Sequence, residues 1–166
     1  MLACHRHHEY NMPKEAKLMR YHHTQIGYLI IMVFALAIFF ITIVMATSVF
    51  NWIACSVLII LGISLLLFNT LTVAIGEEVL EVRFGPNLIR KTFYLKDIES
   101  CEVVKNPWYY GWGIHLTPHG WLFNVSGFSA IEIKLKSGKR YRIGTDVPDE
   151  LEKAIREAKV IALPLA

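Results

Sequence analysis

A chain of 166 residues is the length of one ordinary domain, and its hydrophobic share of 54% is above that of most soluble domains. The formal charge of +3 is too mild to make nucleic acid the partner, and no basic stripe with interleaved aromatics is present. The three scattered cysteines, Cys4, Cys55 and Cys101, form neither a disulfide framework nor a C-x-x-C site, which suits a reducing compartment.

Residues 1–25 read as a polar tail holding five of the seven histidines. Asn11 is placed to cap a short helix opening at Pro13. Lys14, Lys17 and Arg20 would share one face of it, where basic residues gain about 1 kcal/mol each beside anionic lipid. The alternative is a mobile tail with a positive bias. Cys4, His5, His7 and His8 are metal-ligand types, but their spacing matches no zinc pattern.

From Ile26 to Gly76 there is no Asp, Glu, Lys, Arg or His. About 20 apolar residues cross a hydrocarbon core roughly 30 Å thick, so the run is too long for one crossing and right for two. We read a transmembrane hairpin with spans 26–47 and 52–68, Ser48–Asn51 forming the turn. Tyr28 and Trp52 fall near helix ends, where amphipathic rings favour the interface. The run starts late and is followed by a second, unlike a cleaved signal peptide. Arg6, Lys14, Lys17 and Arg20 before the hairpin and Arg83, Arg90, Lys91 and Lys96 after it place both termini in the cytoplasm. Thr42, Ser56, Ser64 and Asn69 are the main polar groups of the hairpin. None is ionisable, which argues against an ion or proton path.

At Leu71 the period changes to two. Leu71, Val73 and Ile75, then Leu80, Val82 and Phe84, predict a hairpin with one buried face. Gly85–Pro86–Asn87 marks a turn. Ile89–Tyr94, Ile98–Val104, Trp121–Val125, Ile131–Leu135 and Tyr141–Ile143 predict further strands, about seven in all. A C-terminal helix follows, with Asp146 as cap, Pro148, Asp149 and Glu150 in the first turn, and an apolar stripe of Leu151, Ala154, Ile155 and Ala158 that must cover the open end of the sheet. The chain thus divides into tail 1–25, helix pair 26–69 and β domain 70–166.

Strands in two groups followed by one capping helix resemble a pleckstrin-homology-type barrel. The wording Arg83–Phe84–Gly85–Pro86, Asn106–Pro107–Trp108–Tyr109–Tyr110–Gly111–Trp112–Gly113 and Gly120–Trp121–Leu122–Phe123–Asn124–Val125–Ser126–Gly127 is similar to that of small bacterial membrane proteins with a PH-like domain. Leu135–Lys136–Ser137–Gly138–Lys139–Arg140 and Ile143–Gly144–Thr145–Asp146 fit the same pattern. The resemblance covers residues 71 to 158 and the preceding helix pair. It implies an inner-membrane protein that presents a PH-like module for non-enzymatic binding or assembly, with no cofactor and no catalytic residue to carry over. Glu77 and Glu78 stand where phosphoinositide binders of the PH class carry basic residues, which argues against a polyphosphate headgroup site.

The segment Trp108–Trp121 is the most unusual part of the β domain. Trp108, Tyr109, Tyr110, Trp112 and Trp121, with His115 and His119, form a candidate surface for membrane lipid, a second copy or a membrane protein partner, since aromatics are enriched at binding hot spots. The competing expectation, which we favour for most rings, is that they fill the barrel core. Arg140 and Arg142 are expected to project into solvent. The alternatives to a binding module are a membrane enzyme using His115, His119 or Cys101 and an accessory transporter subunit. No G-x-S-x-G, H-E-x-x-H or phosphate-loop motif supports the enzyme.

Overall fold

The computed structural model describes residues 20–47 and 51–162. The suggested Asn11-capped helix and the Cys4, His5, His7 and His8 cluster lie outside these residues, as do Ser48, Val49 and Phe50 of the expected turn.

The first element is a strand, β1 (Tyr21–Ile26), where the sequence predicts the end of a tail. It pairs antiparallel along its whole length with β2 (Thr70–Ile75), from Tyr21 opposite Ile75 to Ile26 opposite Thr70. Two helices, α1 (Tyr28–Thr47) and α2 (Trp52–Phe68), are inserted between these paired strands. The first helix therefore opens at Tyr28, two residues later than the sequence suggests. The ladder runs on to the helix feet, where Gly27 N–H donates to Asn69 O at 2.8 Å. β1 escapes the periodicity scan because its inward positions are Tyr21, His23 and Gln25, which are not the apolar residues the scan weighs. Asn51 caps α2, its Oδ1 accepting from Ile53 N–H at 2.8 Å. Among the described residues, α1 is the one helix long and apolar enough to cross a membrane, and α2 is equally apolar but has 17 residues.

β2 continues into β3 (Val79–Phe84) and β4 (Ile89–Tyr94), giving a four-stranded sheet ordered β1-β2-β3-β4. The predicted inward residues, Leu71, Val73, Ile75, Leu80, Val82 and Phe84, are all buried. The β3–β4 turn presses on the last turn of α2. A Cβ at Gly85, where φ is 52°, would lie 2.5 Å from Leu66 O, so only glycine fits.

A short 3-10 turn at Leu95–Asp97 then carries the chain to a second sheet. This sheet holds β5 (Ile98–Lys105), β6 (Gly113–Thr117), β7 (Gly120–Asn124), β8 (Ser129–Leu135) and β9 (Arg140–Gly144). Their order is β5-β8-β9-β7-β6, with β7 and β9 parallel. Nine strands are therefore described rather than about seven, β1 and β6 being the additions. They form two sheets and not the closed barrel expected, because the chain turns a corner at Leu95–Asp97 and β4 and β5 join different sheets. The core lies between the sheets, where Phe84 meets Phe123 at 6.2 Å and Phe93 meets Tyr141 edge-on at 4.8 Å.

The C-terminal helix α3 (Pro148–Ala162) buries Leu151, Ile155 and Ala158 against β5, β8, β2 and the Leu95–Asp97 turn. The Asp146 carboxylate does not cap it but accepts from His23 Nε2 at 2.6 Å, while Val147 N–H donates to Thr145 Oγ1 at 3.2 Å. Arg142 also departs from expectation, because it is buried. Its Nε donates to Glu132 at 2.7 Å and a terminal nitrogen donates to Asn106 Oδ1 at 3.2 Å. The acidic partner is the cross-strand neighbour on β8.

Removing one side of a buried ion pair costs about 3–5 kcal/mol, so Glu132→Ala should lower the thermal midpoint far more than Glu99→Ala, whose pair with Lys134 is exposed. Burial pushes the Tyr21 phenol from 10.0 up to about 12, with the Glu150 and Asp146 carboxylates adding to the rise. The folded chain holds this proton more tightly than the unfolded one. Its contribution to stability is therefore full below pH 10 and is lost as pH climbs towards about 12. Melts across that window should fall less steeply for Tyr21→Phe than for the wild type.

Candidate functional site at the foot of the first helix

Between β5 and β6 the chain makes a second 3-10 turn, Trp108–Tyr110. Polar ties hold this segment in place. Asn106 N–H donates to Phe128 O at 2.6 Å. The buried Asn124 amide donates to Gly111 O at 3.4 Å and to Gly127 O at 3.2 Å. The His115 Nε2 donates to Trp112 O at 2.5 Å. Gly111 and Gly113 adopt φ of 68° and 110°, which permits the reversal that leads from the turn into β6.

So held, the rings do not fill the core as favoured for most of them. Trp108 is 76% and Tyr109 67% exposed, Trp121 is exposed, and Tyr110 is half-buried. Trp108, Tyr109, Tyr110 and His119 form one row, with successive ring centroids 6.1, 5.1 and 6.5 Å apart. Trp112 turns inward, packing on the core and lying 6.4 Å from Phe128. Trp121 is set apart, opposite Leu116 on β6 and Tyr141 on β9. The structure thus splits the seven predicted residues into the row of Trp108, Tyr109, Tyr110 and His119, the half-buried Trp112 with the exposed His115, and Trp121 on β7.

Trp112 and His115 stand at the foot of α1. Gln25, the buried residue just before that helix, donates from Nε2 to Ser126 Oγ at 2.7 Å and to Ser126 O at 3.1 Å. This ties the 125–128 loop to the strand that launches α1. A groove of about 350 Å³ opens between α1, the end of α2 and the 112–115 segment, lined by Leu29, Val33, Phe34, Phe68, Trp112 and His115 among others. No periodicity points to it, because its walls come from the apolar run and from a strand that the sequence reading missed.

The residues of the enzyme alternative are not gathered together. His115 lies on β6 and Cys101 on β5, the two edges of the five-stranded sheet, and His119 occupies the β6–β7 turn. Burial raises the Cys101 thiol pKa, which lowers its thiolate fraction. No group of three or more metal-ligating side chains occurs among the described residues.

No family model, curated protein or solved structure matches the chain.

Exposed side chains contribute little to stability, within about 0.5 kcal/mol. Trp108→Ala and Tyr109→Ala should therefore leave the thermal midpoint almost unchanged. Trp112→Ala should lower it clearly, by about 1–3 kcal/mol. Asn124→Ala should also lower it, since it strips the two carbonyls that this buried amide serves.

Proposed function

We propose that this chain is a two-span inner-membrane protein that holds a non-catalytic β module, PH-like in its order of elements, at the cytoplasmic face for binding or assembly. The observation that carries the reading is the surface of the two helices. α1 buries only Ile30 and α2 buries nothing, and large side chains point outward on every side, among them Phe39, Phe40, Ile53 and Ile60. A helix that is apolar all round needs an apolar surrounding. Water would leave each such side chain about 1.5–3 kcal/mol worse off than full burial. Thr42 and Ser56 donate to the carbonyls of Ile38 and Trp52 at 2.7 and 2.9 Å, so these hydroxyls enter lipid with their donors satisfied.

At 1.5 Å per residue the 17 residues of α2 reach about 26 Å. This is at the short end of what spans a bilayer and is accommodated by local thinning, with Trp52 anchoring the far interface. Basic residues on the body's side, Arg20 beside β1 and Arg83, Arg90 and Lys91 on β3 and β4, support a cytoplasmic body.

The chain should stay in the membrane pellet after alkaline carbonate extraction. Protease added outside intact cells should leave the β module whole. Ile60→Lys, at the centre of α2, should cost about 2.5–3.5 kcal/mol of insertion and shift chain to the soluble fraction. Release of the wild type by carbonate, or external digestion of its carboxyl half, would refute the proposal.

A further inference from the structure

Three segments of the β module surround the feet of the two helices. In the β3–β4 turn the backbone at Gly85 comes so close to α2 that a Cβ there would lie 2.5 Å from Leu66 O and 2.9 Å from Leu67 O. In the 125–128 loop Ser126 accepts from Gln25, and a Cβ at Gly27 would lie 3.0 Å from Val125 O. The 112–115 segment, with the exposed His115, faces Leu29, Val33 and Phe34 of α1 across the groove. Two of these segments carry large exposed apolar side chains, Leu88 at 67% and Phe128 at 51%.

Helix length sets the depth of these segments, and the inference rests on the membrane reading above. If they stood in water beyond the headgroups, only residues 35–47 of α1 and 52–65 of α2 would be left to meet lipid. At 1.5 Å per residue those stretches reach about 20 and 21 Å, against a hydrocarbon core of about 30 Å. A shortfall of about 10 Å in both helices is costly, because mismatch is penalised for every Å. The whole helices reach about 30 and 26 Å, which removes most of it. Composition agrees with immersion. Residues 84–89 and 106–131 contain no Asp, Glu, Lys or Arg. Their titratable groups are His115, whose Nε2 is bonded to Trp112 O at 2.5 Å, and His119 on the β6–β7 turn. Of the charges that flank these stretches, Arg90 and Lys105 are exposed cations, which suits a phosphate layer. Arg83 is paired with Glu81, and Glu132 with Arg142.

We infer that the β module is set into the headgroup layer of the membrane instead of hanging clear of it. Leu88 beside the foot of α2 and Phe128 beside the foot of α1 reach the boundary between headgroups and acyl chains. The partner of this face is the bilayer surface itself. Because the turn and the loop are fixed to the helices by backbone approach and by the Gln25 amide, their depth follows from that of the helices and needs no separate binding step.

The test places a nitroxide spin label on single cysteines of the full chain in vesicles of phosphatidylcholine and phosphatidylglycerol. Cys4→Ser and Cys55→Ala clear the background, and the buried Cys101 is kept. Leu88→Cys and Phe128→Cys report the two loops, and Leu36→Cys, near the middle of α1, reports lipid. Ser137→Cys reports water, since it lies beyond the far end of β8, seven residues and about 23 Å from the 125–128 loop. Collision with oxygen, which concentrates in lipid, is compared with collision with a neutral nickel chelate, which stays in water. The oxygen-to-nickel ratio at both loops should exceed that at Ser137→Cys by about threefold and fall below that at Leu36→Cys, as for groups about 5–10 Å into the interface. If Leu36→Cys reads lipid and either loop reads like Ser137→Cys, the inference is overturned and the membrane reading stands. If Leu36→Cys also reads water, both fail. Loop labels shielded from both reagents, or changed when the chain is diluted with lipid, would give this face to a protein partner or a second copy and would overturn the inference.

Discussion

The β1–β2 ladder is the constraint on which the rest of the molecule depends. Six residue pairs, from Tyr21–Ile75 to Ile26–Thr70, set two strands side by side, and the next backbone bond already joins the helix feet, Gly27 to Asn69. Adjacent antiparallel strands lie about 4.8 Å apart, so the two helices leave the sheet as neighbours. The pair is thus a long insertion in a β-hairpin rather than an anchor joined by a linker. The close approach of Gly85 to the Leu66 carbonyl gives the same base a second point of attachment.

Because the helices are rooted in the sheet, the face of the body around them has a defined composition. Gln25 brings the 125–128 loop to the launch point of α1, and Asn124 brings the aromatic segment to that loop. Each is a buried amide whose nitrogen donates to carbonyl or hydroxyl oxygen, while its own side-chain oxygen has no hydrogen-bond partner among the described residues. Their combined effect is positional. They place Trp112 beside Leu29 and Val33, so that an aromatic surface and an apolar helix meet along one groove. The buried Arg142 serves a similar end, joining β8, β9 and the start of the aromatic segment through Glu132 and the Asn106 Oδ1.

The exposure of Trp108 and Tyr109 follows from the same geometry. A 3-10 turn of three residues cannot send all of its side chains inward, and none of Trp108, Tyr109 and Tyr110 is buried. The rings stack edge to face on one another instead, at 6.1 and 5.1 Å, an arrangement that favours aromatic pairs.

What the sequence determined by itself is whatever neighbouring residues can encode. The uncharged run fixed the existence of two apolar helices, and alternation fixed the inward faces of β2 and β3. The stripe of α3 announced Leu151, Ile155 and Ala158 as buried. Tertiary structure alone decided the membership of β1 and β6, because their inward positions are polar or glycine-rich and their pairing energy comes from strands elsewhere in the chain. It alone decided that Arg142 is buried, since Glu132 and Asn106 become its partners only when β8 and β9 pair. It also decided that Trp112 turns inward while Trp108 and Tyr109 face out, because identical ring chemistry is sorted by the space that other elements leave, and that space has no signature in the order of residues.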